Sequence, residues 1–134
     1  MKSRTFGWVK RPGGAWAVID GDTGWRDITS LSPHITAGNL RVRRIGDTVH
    51  AAFNDTRASS TTDVILNIPA GFRVSVAYIG ALYGYTSSWG YNFRVDVLSG
   101  SIKLSGVNSA WLRDSRAWIV AETWPTAPLP GTPA

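Results

Sequence analysis

The chain has 134 residues, a formal net charge of +5 and no cysteine. This length predicts a single domain that can bury a core without metal or disulfide cross-links. The missing cysteines exclude disulfides, thiolate catalysis and thiolate zinc sites. No apolar run approaches the roughly 20 residues of a membrane-spanning helix, so we expect no membrane insertion.

The polar composition favours strands over helices. Glutamate occurs once, lysine three times and glutamine never, although such straight-chain residues normally fill exposed helix faces. Serine, threonine, glycine, valine and tryptophan are used instead, and this balance is typical of strands and turns. We therefore expect an all-β fold.

The N-terminal part predicts a short hairpin. Two apolar segments within residues 6–19 flank the turn signal Pro12-Gly13-Gly14, and Asp20-Gly21-Asp22-Thr23-Gly24 is a turn cluster. We therefore expect a hairpin or attachment segment at 1–24 and a main β-domain at 25–123. An isolated hairpin is marginal in water, so this one needs something to pack against.

Alternating apolar residues predict the strands of the main domain. Residues 40–45 and 49–53 flank the tight-turn signal Gly46-Asp47 and predict a hairpin. We predict a polar loop at 54–62 and a glycine-rich loop at 84–90. The other predicted strands lie within 64–68, 74–83, 93–97, 102–104 and 117–123. Turns recur about every ten residues, which is typical of a sandwich or barrel. We predict an antiparallel β-sandwich of jelly-roll type.

The last predicted strand and the tail carry two further signals. The run Trp118-Ile119-Val120-Ala121 is apolar on both faces, which fits a central strand covered on both sides or a strand with one face in a subunit interface. The second interpretation makes Trp118, Ile119 and Val120 candidate interface residues. The tail, residues 124–134, holds four of the seven prolines and cannot form a central strand.

No catalytic or metal-binding pattern is present. His34 and His50 have no partner at ligand spacing, and Glu122 is the only glutamate. There is no nucleophile elbow and no phosphate-binding loop. We therefore assign no catalytic residues, metal or organic cofactor, and we expect a protein that is not an enzyme.

The basic balance is a weak indication of nucleic-acid binding. The densest basic group is Arg41, Arg43 and Arg44 on one predicted strand. The other arginines are spread along the chain with acidic residues between them, and a cluster of this size is a weak electrostatic signal. We expect no nucleic-acid partner.

Aromatic residues supply the positive signal. Four aromatic residues lie within residues 83–91, in or beside one glycine-rich loop, and a second polar segment follows Trp111. Aromatic faces stack on sugar rings, while arginine and aspartate hydrogen-bond hydroxyl groups. The alternative is that the rings cap the fold or pack between subunits. The candidate saccharide-binding residues are Tyr83, Tyr85, Trp89, Tyr91, Trp111, Arg113 and Asp114.

An ordered set of motifs resembles one family. The chain contains Gly21-Asp22-Thr23-Gly24-Trp25-Arg26-Asp27-Ile28-Thr29-Ser30-Leu31, Leu40-Arg41-Val42-Arg43-Arg44-Ile45-Gly46-Asp47-Thr48-Val49, Ile68-Pro69-Ala70-Gly71-Phe72-Arg73, and a terminus running from Trp124-Pro125-Thr126 to Leu129-Pro130-Gly131-Thr132-Pro133-Ala134. Together they resemble the C-terminal regions of minor tail proteins and tail fibres of phages that infect actinobacteria. The resemblance implies an all-β, trimeric module with a structural or host-binding role.

Three hypotheses follow for function. The first is a receptor-binding module of a virion, a homotrimer that contacts a host cell-wall glycan. The second is a capsid decoration or head-fibre protein that only contacts other virion proteins. The third is an enzyme that trims surface polysaccharide, which requires two facing carboxylates in a cleft. The first two imply a location on the phage particle. Family fibres are long, so a fragment and a stand-alone particle protein both fit the short segment before the domain.

Overall fold

The computed structural model describes residues 7–10, 16–58, 63–86, 89–105, 110–125 and 128–134, with side chains from residue 21 onward. Within these residues there are eleven strands, one 3-10 turn (Thr29–Leu31) and no α-helix, so no described helix could cross a membrane. The strands are β1 (Gly7–Lys10), β2 (Trp16–Asp20), β3 (Arg26–Asp27), β4 (Ile35–Ile45), β5 (Thr48–Ala58), β6 (Val64–Asn67), β7 (Tyr78–Tyr85), β8 (Gly90–Leu98), β9 (Ser101–Leu104), β10 (Trp111–Ile119) and β11 (Thr132–Pro133).

Nine of these strands form one curled antiparallel sheet. Their order across the sheet is β11-β3-β4-β5-β10-β7-β8-β9-β6, and the sheet has the shape of a half-barrel. The all-β prediction is confirmed. The two-sheet, jelly-roll sandwich is not confirmed, because the main strands belong to a single sheet. Strands β1 and β2 pair antiparallel as a separate ribbon, while the Pro12-Gly13-Gly14 turn predicted between them lies outside the described residues.

Two adjacent irregularities accompany the bend of the sheet. The β4–β5 register shifts on both sides of Ala37, and the β5–β10 register shifts between Leu112 and Arg113. Gly38 and Asp55 adopt positive φ angles of 69° and 48°. A Cβ on Gly38 would collide with the carbonyl oxygen of Asp55, so only glycine fits there. Bulges of this kind bend and twist a strand.

The curl brings the β6 edge to the 3-10 turn at the other side of the sheet. The backbone N–H of Asn67 donates to Ser32 Oγ at 2.9 Å, and Asn67 Nδ2 donates to the carbonyl oxygen of Leu31 at 2.7 Å. Side-chain hydrogen bonds therefore join the two ends of the sheet, where none of the described strands forms a connecting ladder.

The concave face of the sheet holds one hydrophobic core. Alternate residues of each long strand point inward, as period-2 patterning requires. The largest fully buried side chains are Phe72, Ile28, Leu40, Leu66, Leu82, Ile102, Leu104, Leu112, Val42, Val49, Val64 and Val95. Burial of this apolar set is the main source of stability, at about 25 cal/mol per Å² removed from water.

Several strand boundaries differ from the sequence prediction. The predicted loop at 54–62 is wrong at its start, because β5 continues to Ala58. Thr56 and Ala58 point into the core, and Arg57 between them pairs with Trp111 of β10 and Ala37 of β4. The strand predicted from residue 74 begins only at Tyr78, and the loop predicted at 84–90 is shortened because β7 and β8 extend into it.

The last long strand begins earlier than predicted. It starts at Trp111 and ends at Ile119, whereas the run that is apolar on both faces had predicted a strand at 117–123. Trp118 and Val120 lie in the core of their own chain, and Trp118 Nε1 donates to the carbonyl oxygen of Phe72 at 2.7 Å. Among the three predicted interface residues, only Ile119 is exposed, at 54%.

The side chain of Arg44 joins three segments of the chain. It is 6% exposed. Its Nη1 donates to the carbonyl oxygens of Gly71 at 2.7 Å and Thr123 at 3.0 Å, and its Nη2 donates to that of Glu122 at 3.0 Å. Its Nε donates to the carbonyl oxygen of Gly46 at 2.9 Å. Burial lowers the pKa of the guanidinium, and the nearby Glu122 carboxylate opposes that shift.

A second arginine holds the proline-rich tail. Arg26 donates from Nε to the carbonyl oxygen of Pro130 at 3.0 Å, and from Nη2 to those of Leu129 at 3.2 Å and Gly131 at 2.9 Å. The tail then adds β11 to the edge of the sheet beside β3. An edge strand is a position that proline tolerates.

Candidate functional site

Four of the predicted site residues meet on the outer, convex face of the sheet. Leu82 and Leu112 point into the core, so their strand neighbours Tyr83, Tyr85, Trp111 and Arg113 point outward. Trp111 lies directly opposite Tyr85 in the short β10–β7 ladder. We call these four residues, together with Asp55 and Arg57, the outer-face cluster.

A bidentate ion pair organises the cluster. Arg113 donates from Nε to Asp55 Oδ1 at 2.8 Å and from Nη2 to Oδ2 at 2.7 Å. Tyr85 Oη donates to the same Oδ1 at 2.9 Å, and the guanidinium carbon lies 5.5 Å from the Tyr85 ring centroid. Fork-to-fork pairing fixes orientation as well as distance. The Tyr85 ring and the Arg113 guanidinium are therefore held in one relative position.

The ionisation of these groups reflects the same contacts. Hydrogen bonds from Arg113 and then Tyr85 hold the pKa of Asp55 below its usual range. The hydrogen bond to Asp55 raises the pKa of Tyr85, and partial desolvation adds to this shift. Near neutral pH the surface therefore carries a carboxylate, a guanidinium and a neutral phenol.

Trp111 extends the surface towards β5. Its cross-strand neighbour Arg57 places its guanidinium carbon 5.0 Å from the Trp111 ring centroid. A cation over an indole face is attracted by the ring quadrupole, by about 0.5–1 kcal/mol at an exposed site. Arg57, Trp111 and Tyr85 therefore form one row across β5, β10 and β7.

Tyr83 lies across the neighbouring strand because glycine leaves room for it. It is 46% exposed. A Cβ on Gly90 would come within 2.6 Å of Tyr83 Oη, so any larger residue there would push the phenol away. The backbone N–H of Tyr83 donates to Asp114 Oδ2 at 2.8 Å. Asp114, predicted as a ligand residue, thus has a backbone-capping role from the opposite face of β10.

The remaining two predicted aromatic residues, Trp89 and Tyr91, lie apart from each other. Trp89 is 69% exposed in the turn between β7 and β8, where its backbone N–H donates to Thr86 Oγ1 at 3.2 Å. Tyr91 is 45% exposed but shares its face with Phe93, whose ring centroid is 5.9 Å away. That face is opposite to the one that carries Tyr83. Tyr91 therefore does not belong to the outer-face cluster.

Sequence reasoning missed Asp55 and Arg57. Both lie in the segment that we predicted as a loop, so neither was expected to face β10. The available signal was the alternation of Phe53, Thr56 and Ala58, which continues the strand with one extra residue. A single inserted residue is the mark of a bulge, and aspartate tolerates the left-handed backbone that this bulge requires.

Two of the three clustered arginines have internal partners. Arg44 is committed to the carbonyl contacts described above, and Arg43 Nε donates to Asp22 Oδ1 at 2.9 Å. An open pocket of about 320 Å³ lies beside the tail, lined in part by Glu122 and Trp124. The carboxylate of Glu122 already accepts the backbone N–H groups of Gly71 at 3.1 Å and Arg73 at 3.0 Å. The described residues contain no group of three or more acidic or histidine side chains that could hold a metal.

No protein-family model matches the chain, and no curated protein matches it significantly. The features that bear on function are therefore the geometry of the outer-face cluster and the motif resemblance. The cluster combines one exposed ring, Tyr83, and two partly exposed rings, Tyr85 and Trp111, with a fixed ion pair. This combination suits a ligand that has both apolar C–H faces and hydroxyl groups.

Proposed function

We propose that this chain is a virion module of a phage and that its outer-face cluster binds a saccharide on the host cell surface. The supporting observation is that the exposed Tyr83 and the partly exposed Tyr85 and Trp111 share one solvent-facing side of the sheet with the Arg113–Asp55 pair. The motif resemblance to tail-fibre modules supplies the biological setting.

The physical support is that the cluster is fixed in advance. The Tyr85 hydroxyl group is hydrogen-bonded to Asp55, and the Tyr83 ring lies against Gly90, where the missing side chain leaves room for it. Trp111 is positioned by its pairing with Tyr85 in the β10–β7 ladder. Rings that are already oriented lose little conformational entropy when a sugar stacks on them. Trp89, at the tip of the β7–β8 hairpin, is included as a peripheral stacking residue.

Cell-wall binding by single-ring variants tests the proposal. Tyr83→Ala and Trp89→Ala each remove an exposed ring, so both variants should fold. Both should be retained less well on purified actinobacterial cell walls, by about tenfold for Tyr83→Ala. Tyr91→Ala is the matched control, because Tyr91 is equally exposed but faces the other side. Equal retention of all three variants and the unchanged protein would reject the outer face as the binding surface.

We also propose a homotrimer, the oligomeric state that the motif resemblance implies, with an interface that includes aliphatic side chains exposed near the other end of β7 and β10. Val76, Ile79 and Ile119 are 75%, 65% and 54% exposed. A hydrogen bond of 2.9 Å from Ser75 N–H to the Ile119 carbonyl oxygen joins two of the segments that carry them. Exposed apolar groups in one region mark interaction surfaces. In such an assembly a neighbouring copy would supply the second layer that a sandwich requires.

Light scattering tests this second part. The unchanged protein should have three times the monomer mass at micromolar concentration, and Ile119→Glu should reduce that mass. Ile65→Glu is the control, since Ile65 is also exposed but lies on β6. A monomeric unchanged protein would exclude the homotrimer and favour a role in which the chain contacts only other virion proteins.

A further inference from the structure

Strands β7 and β10 are neighbours in the sheet, but they pair with each other over only a short part of their length. They pair only at Trp111 with Tyr85 and at Leu112 with Gly84. By contrast, β7 pairs with β8 through eight residue pairs and β10 with β5 through nine. Beyond the two paired positions, the contacts between these strands involve side chains, such as Tyr83 N–H to Asp114 Oδ2 at 2.8 Å and Tyr78 Oη to the Ala117 carbonyl oxygen at 3.4 Å. We call this stretch without a backbone ladder the gap between β7 and β10.

Arg116 lies in this gap on the core-facing side of the sheet. Its guanidinium carbon is 3.6 Å from the position that a Cβ on Gly80 would take, so the guanidinium lies against the β7 backbone. Tyr78 borders the same space, and its hydroxyl group donates to the carbonyl oxygen of Ala117 at 3.4 Å. Arg116 is half-buried between the strands.

The guanidinium of Arg116 has no acceptor within the described part of the chain. Its Nε is buried and has no hydrogen-bond partner. Asp114, the nearest acid on the same face of β10, gives Oδ2 to the Tyr83 N–H and Oδ1 to the Ser115 N–H, at 2.8 Å and 2.7 Å. A half-buried guanidinium without an anion loses solvation and receives no ion pair in return.

We propose that Arg116 and the gap between β7 and β10 form a binding site for the carboxylate group of an external ligand. A guanidinium offers a planar fork of donors that matches a carboxylate. The carboxylate belongs either to an acidic sugar or to an acidic amino-acid side chain. This site is on the opposite face from the outer-face cluster, so it does not depend on that cluster binding saccharide.

Tyr78 provides a spectroscopic reporter for the site. Desolvation raises the pKa of its phenol, and the positive charge of Arg116 partly opposes this shift. A carboxylate that neutralises Arg116 should therefore raise the pKa of Tyr78 further, and Arg116→Gln should do so without ligand. A ligand that binds elsewhere should leave that pKa unchanged.

Titration with glucuronate, N-acetylaspartate amide and glucose tests the proposal by nuclear magnetic resonance. The two carboxylates should shift the amide signals of Gly80 and Arg116 with affinities on the order of millimolar, as expected for one ion pair. Glucose should not shift them. The tighter of the two carboxylates identifies the source, and either one supports the site.

Variants separate the site from general effects of charge. Arg116→Gln should weaken binding by about tenfold or more, and Arg116→Lys should restore part of it. Arg94→Gln is the control, because Arg94 is an exposed arginine already paired with Asp96. Equal shifts with glucose and glucuronate in the unchanged protein would overturn the proposal, even if an Arg116 variant failed to fold. Loss of cell-wall retention in Tyr83→Ala, with glucuronate binding intact, would show that the two proposals stand separately.

Discussion

Replacing Arg44 by lysine should destabilise the protein strongly while keeping its charge. The guanidinium donates to four carbonyl groups that belong to three segments of the chain. A lysine ammonium is a single point with three donors and cannot reach carbonyls spread around a planar fork. We expect at least two of the carbonyls to lose their partner.

The magnitude follows from burial and donor charge. Hydrogen bonds from a charged donor contribute about 1.5–3 kcal/mol each, and carbonyls left unpaired in a buried place carry a desolvation cost. Two lost contacts therefore lower the free energy of unfolding by about 3 kcal/mol. With an unfolding entropy of about 2.1 cal/mol/K per residue, this corresponds to a decrease of roughly 10 °C in the Tm of a domain of this length.

The assay is thermal unfolding followed by circular dichroism, with Arg94→Lys as the matched control. Arg94 forms an exposed ion pair with Asp96, and its side chain is 58% exposed. Exposed pairs contribute little to stability because solvent screens them, so the control should lose no more than roughly 3 °C. If Arg44→Lys unfolds within that same range, the buried contacts do not hold the three segments together as argued.

Three further changes probe the bend, the ion pair and the tail. Gly38→Ala should cost more than about 2 kcal/mol in urea unfolding, because its Cβ collides with the Asp55 backbone at positive φ; an unchanged midpoint would contradict this. The Asp55 pKa is lowered on folding, so its stabilising contribution is present above the unfolded value of about 4 and is lost as pH falls through the lower folded value; carbon-detected titration of Asp55 checks the direction. Arg26→Gln should speed amide exchange at Ala134, whose N–H donates to the carbonyl oxygen of Trp25 at 3.1 Å, without altering exchange in the core; an unchanged exchange rate at Ala134 would refute local anchoring.

The sequence predicted the core-facing pattern better than the length of the strands. Alternation of Val49, Ala51 and Phe53 identified the inward face of β5 correctly, because hydrophobic burial has a period of two in any strand. It did not predict where β5 ends. The polar residues after Phe53 look like a loop, and only their pairing with strands that are distant in sequence makes them part of the sheet.

Only part of the candidate site was predicted, because the pairing of distant strands could not be derived from the sequence. Residue type identified Tyr83, Tyr85, Trp111 and Arg113, which the fold brings to one face. Tyr91 lies close to the other aromatic residues in sequence. The β7–β8 register pairs it with Gly84, however, which places it on the opposite face of the sheet from Tyr83. Residue type therefore identifies candidate surface residues, and the register of the strand ladders determines which of them share a face.

The β5 bulge and the outer-face cluster have one residue in common, Asp55. Asp55 occupies the extra position of the β5 bulge at φ 48°, and its carboxylate holds Arg113 and Tyr85. Asparagine tolerates this backbone nearly as well but cannot form the charged fork. Asp55→Asn should therefore keep the fold while loosening the Tyr85 ring and weakening cell-wall retention. Asp55→Ala should also strain the bulge and lower the Tm below that of Asp55→Asn. If both variants melt together and retain full binding, neither the backbone angle nor the ion pair has the role described.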